Sequence, residues 1–303
     1  EAVNITLSFL RLMVMRNQQL LAISFMVLSM LSYQISASFA KQLFSVLEPL
    51  TVTILRLSFA SLLVFILFRS WKILPRLAFL KWRDLLCYSA ALCCMNVLFY
   101  MSLGKLPQGI AVGLEFIGPL GLALLSIKNR RDYLWVLCAI VGIACMVPWG
   151  QTQSSNFSLF GAALALGAGL CWAFYIYFGQ KVIQQQIGLH ALTIGIVLST
   201  FVLLPIGAVY HPDQLIMTQY WGHALAIAIL ATVIPYALDL MALKHLSKLS
   251  YGTLSSLSPA IAAITGMILL HEKINTLQWV ALILIMIASV GVTLRGKTQK
   301  TAI

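Results

Sequence analysis

The chain has 303 residues, of which 61% are hydrophobic and 9% are charged, and this composition excludes a soluble domain. So much apolar sequence also exceeds the need of one or two membrane spans, so we interpret the protein as a polytopic membrane protein. The formal net charge of +12 would suggest nucleic acid as the partner of a soluble protein, but the positions of the basic residues explain it better, and we expect no nucleic-acid partner.

The apolar runs have the length of transmembrane helices, about 20 residues each. They predict an all-α protein with ten spans, near residues 20–40, 50–68, 85–103, 107–127, 133–149, 158–179, 191–209, 222–243, 250–270 and 276–294. Residues 1–18 have an apolar stripe with two arginines and lack a signal-peptide cleavage site, so we interpret them as a cytoplasmic lead-in. Residues 296–303 form a cytoplasmic tail in this interpretation.

The basic residues predict the orientation of these spans. If the N-terminus is cytoplasmic, sixteen of the 20 Lys and Arg residues lie on the cytoplasmic side, and three, Lys41, Lys105 and Lys273, lie outside. Arg56 falls within a span. Such a bias follows the positive-inside rule and predicts that both termini are cytoplasmic.

An internal repeat becomes visible when the chain is shifted against itself so that Pro119 aligns with Pro259. Lys41 then aligns with Lys181, and the predicted helix boundaries fall in step. The repeat predicts two five-helix halves, residues 19–149 and residues 150–295. Because five is odd, the second half must run with opposite topology, which is the inverted-repeat plan of many secondary transporters, whose sites lie between the two halves.

The sequence lacks the motifs of several other classes of protein. It contains no nucleotide-binding P-loop, which argues against a pump driven by ATP. It has no Ser-His-Asp set, no paired catalytic carboxylates and no HExxH motif, so we expect neither an enzyme nor a cofactor. The six cysteines fall inside predicted spans and no Cys/His spacing suggests zinc, so we expect no disulfide and no metal site.

Glu115 is the acid that the sequence places deepest in a span, within GIAVGLEFIGPL. A carboxylate at that depth costs about 2.5–3.5 kcal/mol, so it should face a cavity or a partner rather than lipid. Because burial disfavours the charged form of a carboxylate, Glu115 could exchange a proton near neutral pH or contact a substrate ammonium. The alternative is a structural ion pair with Arg56, which has a similar predicted depth.

Tyr236 and Asp239 are three residues apart, on one face of the eighth predicted helix, just after Pro235. This spacing makes Tyr236 a candidate for substrate binding and Asp239 a candidate for proton coupling. The alternative is that Asp239 is interfacial and reaches toward Lys244 or Lys248.

Further polar and aromatic side chains at helical spacing could form a cavity with aromatic walls and few polar anchors, which suits a small amphipathic solute. These candidates are Gln34, Asn96, Tyr100, Trp172, Tyr175 and Ser255. The alternatives are aromatic packing or an interfacial belt, and hydrogen bonding between helices for the serines. Pro119 and Pro259 are candidate hinges, since a proline frees a backbone carbonyl where a helix can bend.

The motifs GIAVGLEFIGPL, LALGAGLCWAFYI, IPYALDLMAL and GTLSSLSPAIAAITGMILLHEKI, spread over residues 20–294, resemble the EamA family of the drug/metabolite transporter superfamily. Within it they are most similar to the bacterial inner-membrane exporters of threonine and homoserine. The resemblance implies a basket of ten helices around a central cavity, export of small amino acids driven by the proton gradient, and cavity roles for Glu115, Trp172 and Tyr175. Two positions depart from the pattern, because Ser258 stands where the family often has an acid and Asp239 stands where the subgroup has Glu.

Taken together, these features predict an alternating-access exporter of small zwitterionic solutes in the lipid bilayer of the bacterial inner membrane, working as a monomer or a dimer. Two other transport hypotheses remain, a broad drug exporter and an uptake carrier for a metabolite. A membrane scaffold without transport would leave the buried acids and the paired prolines unexplained.

Overall fold

A computed structural model describes residues 2–124, 133–146, 158–185, 187, 190–243, 245–246 and 248–300. These residues form helices and turns, and no β-strand occurs among them, which confirms the all-α class. The α-helices are α1 (Ala2–Leu43), α2 (Pro49–Leu67), α3 (Trp82–Leu103), α4 (Gln108–Glu115), α5 (Ile117–Leu124), α6 (Tyr133–Met146), α7 (Leu159–Ile183), α8 (His190–Tyr210), α9 (Pro212–Leu215), α10 (Trp221–Ala228), α11 (Ile234–Leu243), α12 (Lys248–Ser255), α13 (Ser258–Leu270) and α14 (Thr276–Lys300). Two 3₁₀ segments, Ser70–Phe79 and Thr218–Tyr220, and a π-helical turn, Ile229–Val233, complete the series.

Within the described residues, seven helical segments are long and apolar enough to cross a bilayer. They are Gln18–Leu43, Pro49–Leu67, Trp82–Leu103, Leu159–Ile183, His190–Tyr210, Thr218–Leu243 and Ser250–Leu270. Three shorter apolar helices occupy the places where the sequence predicted the fourth, fifth and tenth spans, namely Gln108–Leu122, Leu134–Cys145 and Thr276–Gly291. A helix is the natural form of such segments because its backbone groups bond within the segment and need no water.

Two of the apolar segments are interrupted at equivalent places. The first interruption is at Phe116, between α4 and α5, and the second is at Ser256 and Leu257, between α12 and α13. Each lies just before a proline, which has no N–H to offer the carbonyl four residues earlier. Because the shift that aligns these two prolines also aligns Phe116 with Ser256, the interruptions follow the register of the repeat that the sequence predicted.

Helices from the two halves of the chain pack against each other in a regular order. The pairs α6 with α14 and α2 with α8 each join helices that are equivalent in the predicted repeat, and α4 of the fourth predicted span packs on α13 of the ninth. The helix α3 packs on α7, and the equivalent helix α11 packs on α1. Likewise α5 packs on α7, and the equivalent helix α13 packs on α1. These contacts agree with the predicted repeat, whereas the contact of α12 with α14 has no comparable counterpart between α4 and α6 among the described residues.

The crossing of α1 with the segment that includes the π-helical turn contains a row of hydrogen bonds. The hydroxyls of Ser29, Ser32 and Ser36 donate to the carbonyls of Pro235, Leu230 and Ile227 at 3.3, 2.7 and 3.1 Å, respectively. A π-turn and a proline both leave backbone carbonyls without their usual helical donors. Pro235 follows Leu230 by five residues and has no N–H to donate in the π-turn, so Ser32 supplies the missing donor to the Leu230 carbonyl. Ser29 and Ser36 add side-chain donors to two further carbonyls of the same segment.

Candidate functional site

A cavity of about 520 Å³ lies between the two halves of the chain. Its wall is formed by residues of α1, α2, α3, α4, α7, α8, α11, α12 and α13, by Phe116 and by the π-helical turn. About half of the lining residues carry a polar group: Ser29, Tyr33, Gln34, Arg56, Asn96, Glu115, Tyr175, Thr232, Tyr236, Asp239, Tyr251, Ser255 and Ser258. A cavity that combines apolar and aromatic walls with placed polar groups is the usual form of a small-molecule site.

Glu115, the last residue of α4, lies in the wall of this cavity and is 6% exposed. Within the described part of the chain, no N–H or O–H group donates a hydrogen bond to its carboxylate, although it interacts electrostatically with Arg56. A buried acid without hydrogen bonds is costly. Its carboxylate is therefore available to a ligand or a proton.

The backbone around Glu115 is fixed by a close helix crossing. Gly118 of α5 and Gly169 of α7 meet so closely that a β-carbon on Gly118 would overlap the carbonyl of Gly169, and one on Gly169 would overlap the carbonyl of Glu115. The ring of Trp172, one turn further along α7, packs edge-on against Phe116 at 5.7 Å between centroids. Trp172 thus packs on the residue that follows Glu115, and both Trp172 and Glu115 line the cavity.

Arg56 of α2 is 3% exposed and lines the same part of the cavity. Its Nη2 donates to Oδ1 of Asn96, and its Cζ lies 4.8 Å from the centroid of the Tyr100 ring. The hydroxyl groups of Tyr33 and Tyr100 also interact with it. The predicted ion pair with Glu115 does not form, since Lys41–Glu272 is the one ion pair between described residues. The reason is that Asn96 and the tyrosines hold the guanidinium in place.

Asp239 lies toward the other end of the cavity, where it interacts with the hydroxyl groups of Ser29 and Tyr251. Tyr236, one turn before it, interacts with Tyr175, whose hydroxyl accepts a hydrogen bond from Tyr88 at 3.3 Å. Asp239 therefore faces the cavity, while Lys244, proposed from the sequence as an interfacial partner, lies outside the described residues.

The structure brings most of the sequence-predicted site residues together. The cavity is lined by Gln34, Arg56, Asn96, Glu115, Trp172, Tyr175, Tyr236, Asp239 and Ser255. Tyr100 is not among its lining residues: it is 1% exposed and lies behind Arg56, because it is one helical turn beyond Asn96 and the guanidinium covers it. Pro119 and Pro259 also lie outside the wall, at the start of α5 and α13, beside the two helix interruptions.

Several lining residues were not predicted from the sequence. On α1 these are Met26, Ser29, Met30 and Tyr33, and elsewhere they include Met95, Thr232 and Tyr251. The residues on α1 lie on the same helix face as Gln34, one and two turns before it. They could therefore have been found from the helical period. Tyr251 lies four residues before Ser255 on α12 and could have been found in the same way, whereas its contact with Asp239 of a different helix could not.

One end of the cavity is closed by a polar cluster that we call the Lys41–Glu272 cluster, formed by Gln34, Ser38, Lys41, Gln108, Thr265 and Glu272. Nζ of Lys41 lies 2.7 Å from Oε1 of Glu272, and the backbone N–H of Gln108 donates to Oε2 of Glu272 at 2.7 Å. Lys41 also donates to the carbonyl of Leu106.

The side chain of Gln108 joins this cluster to α1 and α13. Its Nε2 donates to the carbonyl of Gln34 at 2.8 Å and to Oγ1 of Thr265 at 3.2 Å, and its Oε1 accepts from Ser38 at 2.7 Å. The cluster therefore ties α1, α4 and α13 together beyond Glu115. In the other direction the cavity continues to Leu243, the last residue of α11.

A sequence model of the EamA-like transporter family matches residues 159–294. The threonine/homoserine exporter RhtA of Salmonella typhimurium (strain LT2) is 41% identical over 274 residues, which cover 90% of this chain and 92% of that protein. The protein of the same name from Escherichia coli (strain K12) is 41% identical over 279 residues, which cover 92% and 93%.

Two more distant similarities extend the comparison. The uncharacterized transporter YwfM of Bacillus subtilis (strain 168) is 24% identical over 232 residues, which cover 73% of this chain and 77% of that protein. A solved structure described as "Crystal structure of protein" has a TM-score of 0.60 at 14% identity and covers 93% of this chain and 99% of its own. At that identity the second similarity concerns the fold alone.

Proposed function

Because the chain belongs to the EamA-like family of transporters, and is therefore a transporter and not an enzyme, we propose that it exports small amino acids such as threonine and homoserine. The proposed location is the bacterial inner membrane, and the proposed driving force is the proton gradient. The names of the relatives at 41% identity support this choice of solute. The cavity volume of about 520 Å³ leaves ample room for such a solute.

The observation that carries this proposal is the state of Glu115. Its carboxylate is buried in the cavity wall and receives no hydrogen bond from the described residues. A substrate ammonium would satisfy it with a charge-assisted hydrogen bond, and a proton would satisfy it in the absence of substrate. We propose that Glu115 alternates between these two partners and thereby couples export to proton entry. Asp239 is a second proton-binding candidate nearer the open end.

For the architecture we propose ten spans in a five-plus-five inverted repeat, residues 19–149 and 150–295, preceded by the lead-in 1–18 and followed by the tail 296–303. The junction between the halves lies outside the described residues. Support comes from the helix contacts that recur when the halves are exchanged, such as α3 on α7 and α11 on α1, and from the two helix interruptions, which fall at equivalent positions of the repeat. Glu115 and Ser255 are equivalent in this repeat, as are Asn96 and Tyr236, and all four line the cavity.

We propose that both termini are cytoplasmic, as the excess of Lys and Arg predicts. In this orientation the Lys41–Glu272 cluster closes the cavity on the outer side, and the end near Leu243 faces the cytoplasm. The structure would then correspond to the inward-facing state of an alternating-access cycle. Substrate would enter past Asp239 and leave after the cluster opens.

The test is counterflow of labelled threonine in proteoliposomes containing the purified protein. We expect saturable counterflow with the wild type and counterflow near background with Glu115→Gln, which preserves size but removes the negative charge. Glu48→Gln is the matched control, since Glu48 is an exposed acid in the turn before α2 and should behave as wild type. Wild-type counterflow in Glu115→Gln would contradict the role of this residue.

Proton coupling needs a second arm, because counterflow requires no driving force. Net threonine movement should follow an imposed pH gradient in the wild type and should stop when a protonophore removes the gradient. Threonine movement that is independent of the pH gradient would contradict proton coupling. It would not contradict the proposal that threonine is a substrate.

The lining also favours a second candidate function, broad export of amphipathic drugs or metabolites. Met26, Met30 and Met95 line the cavity, and flexible thioether side chains adapt to varied apolar ligands. The test is whether cationic dyes inhibit the counterflow of labelled threonine. Inhibition at dye concentrations lower than the concentration of unlabelled threonine that has the same effect would favour this candidate over the amino-acid exporter.

A further inference from the structure

The environment of Arg56 contains hydrogen-bond acceptors but no counter-ion. Oδ1 of Asn96 accepts from the guanidinium, and the Tyr100 ring lies against it at 4.8 Å. Among the described residues no carboxylate forms an ion pair with Arg56. A guanidinium carries a full positive charge at all relevant pH values, so neutral partners hold this group in place without neutralising it.

The guanidinium also has an unused donor. Nε of Arg56 is buried and has no hydrogen-bond partner within the described part of the chain. Asn96 cannot turn to supply one, because its Nδ2 donates to the carbonyl of Leu92 at 2.8 Å and thereby fixes the direction of its Oδ1. A buried charge with an unpaired donor is costly unless something else completes it.

Arg56 and Glu115 face the cavity from the same depth. Each is the seventh residue after the first residue of its helix, Pro49 in α2 and Gln108 in α4, which corresponds to about 10 Å along each axis. Their charges interact, but they are too far apart to form a direct ion pair. The cavity wall therefore carries one positive and one negative group that do not form a direct ion pair with each other.

The two halves of the chain differ at this point. Under the shift that aligns Pro119 with Pro259, Arg56 is equivalent to Ile196 and Glu115 to Ser255. All four of these residues line the cavity, but the paired charges belong to the first half alone. A solute with a charge at each end would therefore have one favoured orientation, with its negative end toward α2 and its positive end toward α4.

We propose that Arg56 is the residue that selects for a carboxylate: it binds the α-carboxylate of the transported amino acid while Glu115 binds the ammonium. This inference rests on the proposed function and adds the reason why a zwitterion is preferred to an amine of similar shape. The planar guanidinium offers a carboxylate two parallel N–H donors, and the buried Nε, which has no acceptor among the described residues, becomes one of them when the guanidinium turns toward the ligand. The bound zwitterion would neutralise both buried charges at once.

The test compares two ligands that differ only at the carboxylate, L-threonine and L-threonine amide, as competitors of labelled threonine counterflow. The amide keeps the ammonium and the side chain but is neutral at the other end. For the wild type we expect the amide to bind at least about 30-fold more weakly than threonine, since losing one partner of a buried charge pair has an effect of this size.

The variants separate recognition from a merely structural role. Arg56→Gln should weaken threonine binding at least about 30-fold and change the affinity for the amide little. The two ligands should then bind this variant with nearly equal affinity. Arg56→Lys, which keeps the charge without the planar fork, should fall between. Ser58→Ala is the matched control, because Ser58 is on the same helix, bonds the carbonyl of Ile54 at 2.8 Å and does not line the cavity.

Three results would overturn the inference. The first is equal inhibition of the wild type by threonine and its amide, which needs no variant and so decides the matter even if Arg56→Gln does not fold. The second is an equal decrease in the affinities for threonine and for its amide in a folded Arg56→Gln protein, which would indicate a structural role. The third is the absence of any amino-acid counterflow in the wild type, which would also remove the proposed function and is thus distinguishable from the first two.

Discussion

Tyr100 supports the cavity although it does not line it. Its ring lies 4.8 Å from Cζ of Arg56, and the residue is 1% exposed. A cation over an aromatic face gains about 2 kcal/mol when both groups are desolvated, which is more than the roughly 0.5–1.5 kcal/mol of a typical hydrogen bond. The ring should therefore matter more for holding the guanidinium than the hydroxyl does.

We accordingly predict different effects for two substitutions of this residue. Tyr100→Phe keeps the ring and should weaken threonine binding by less than about tenfold, whereas Tyr100→Leu should weaken it by about 30-fold or more and lower the melting temperature. Competition in the counterflow assay and thermal unfolding in detergent measure the two effects. Equal affinities of the two variants would contradict the role of the ring.

Single residues also illustrate what the sequence could predict. The depth of Glu115 and the shared face of Tyr236 and Asp239 follow from helix length and period, and the structure places all three in the cavity wall. The partners of Arg56 do not follow, because Asn96 and Tyr100 reach it from a different helix. Periodicity assigns a face to a residue but does not identify which helix that face meets.

At the level of the helices, the crossing of α5 with α7 depends on two glycines. A β-carbon on Gly118 would overlap the backbone of Gly169, and backbone atoms cannot move aside as the end of a flexible side chain can. Small residues at a crossing allow this close approach in membrane proteins. The sequence shows the glycine itself but does not indicate which helix it meets.

A matched pair of alanine substitutions tests this crossing. Gly118→Ala should destabilise the protein by about 1–3 kcal/mol or more, the usual cost of overpacking, and should displace Glu115 and Trp172 from each other. Gly121→Ala on the same helix should be tolerated, because nothing lies within 4 Å of the position that its β-carbon would take. Thermal unfolding and threonine counterflow measure both variants, and similar melting temperatures would show that the crossing can relax.

At the level of the whole molecule, the Lys41–Glu272 cluster joins distant parts of the chain at one end of the cavity. Lys41 and Glu272 are 231 residues apart, and the members of the cluster come from α1, α4, α13 and the segment that follows α13. The sequence placed Lys41 on the outer side but gave no indication that Glu272 is its partner. Such a contact depends on how the two halves are assembled, which local pattern does not encode.

We predict that linking the two sides of this cluster stops transport. The experiment replaces both residues with cysteine, Lys41→Cys and Glu272→Cys, and joins the two thiols with a short, cleavable bifunctional reagent. Cross-linking should abolish threonine counterflow, and a reductant that cleaves the link should restore it. The single-cysteine variants and the wild type, treated in the same way, control for the six native cysteines. Undiminished counterflow in fully linked protein would mean that the cluster does not open during the cycle.

The row of serines between α1 and its partner segment also bears on the proposed alternating-access motion. Each hydroxyl rotates about a single bond, and a serine hydroxyl within a helix can donate to the carbonyl four residues before it in the same helix. If α1 moves away from its partner segment, Ser29, Ser32 and Ser36 can therefore turn back to carbonyls of α1 and keep an acceptor. Such a crossing can separate and form again without leaving a buried hydroxyl donor unpaired.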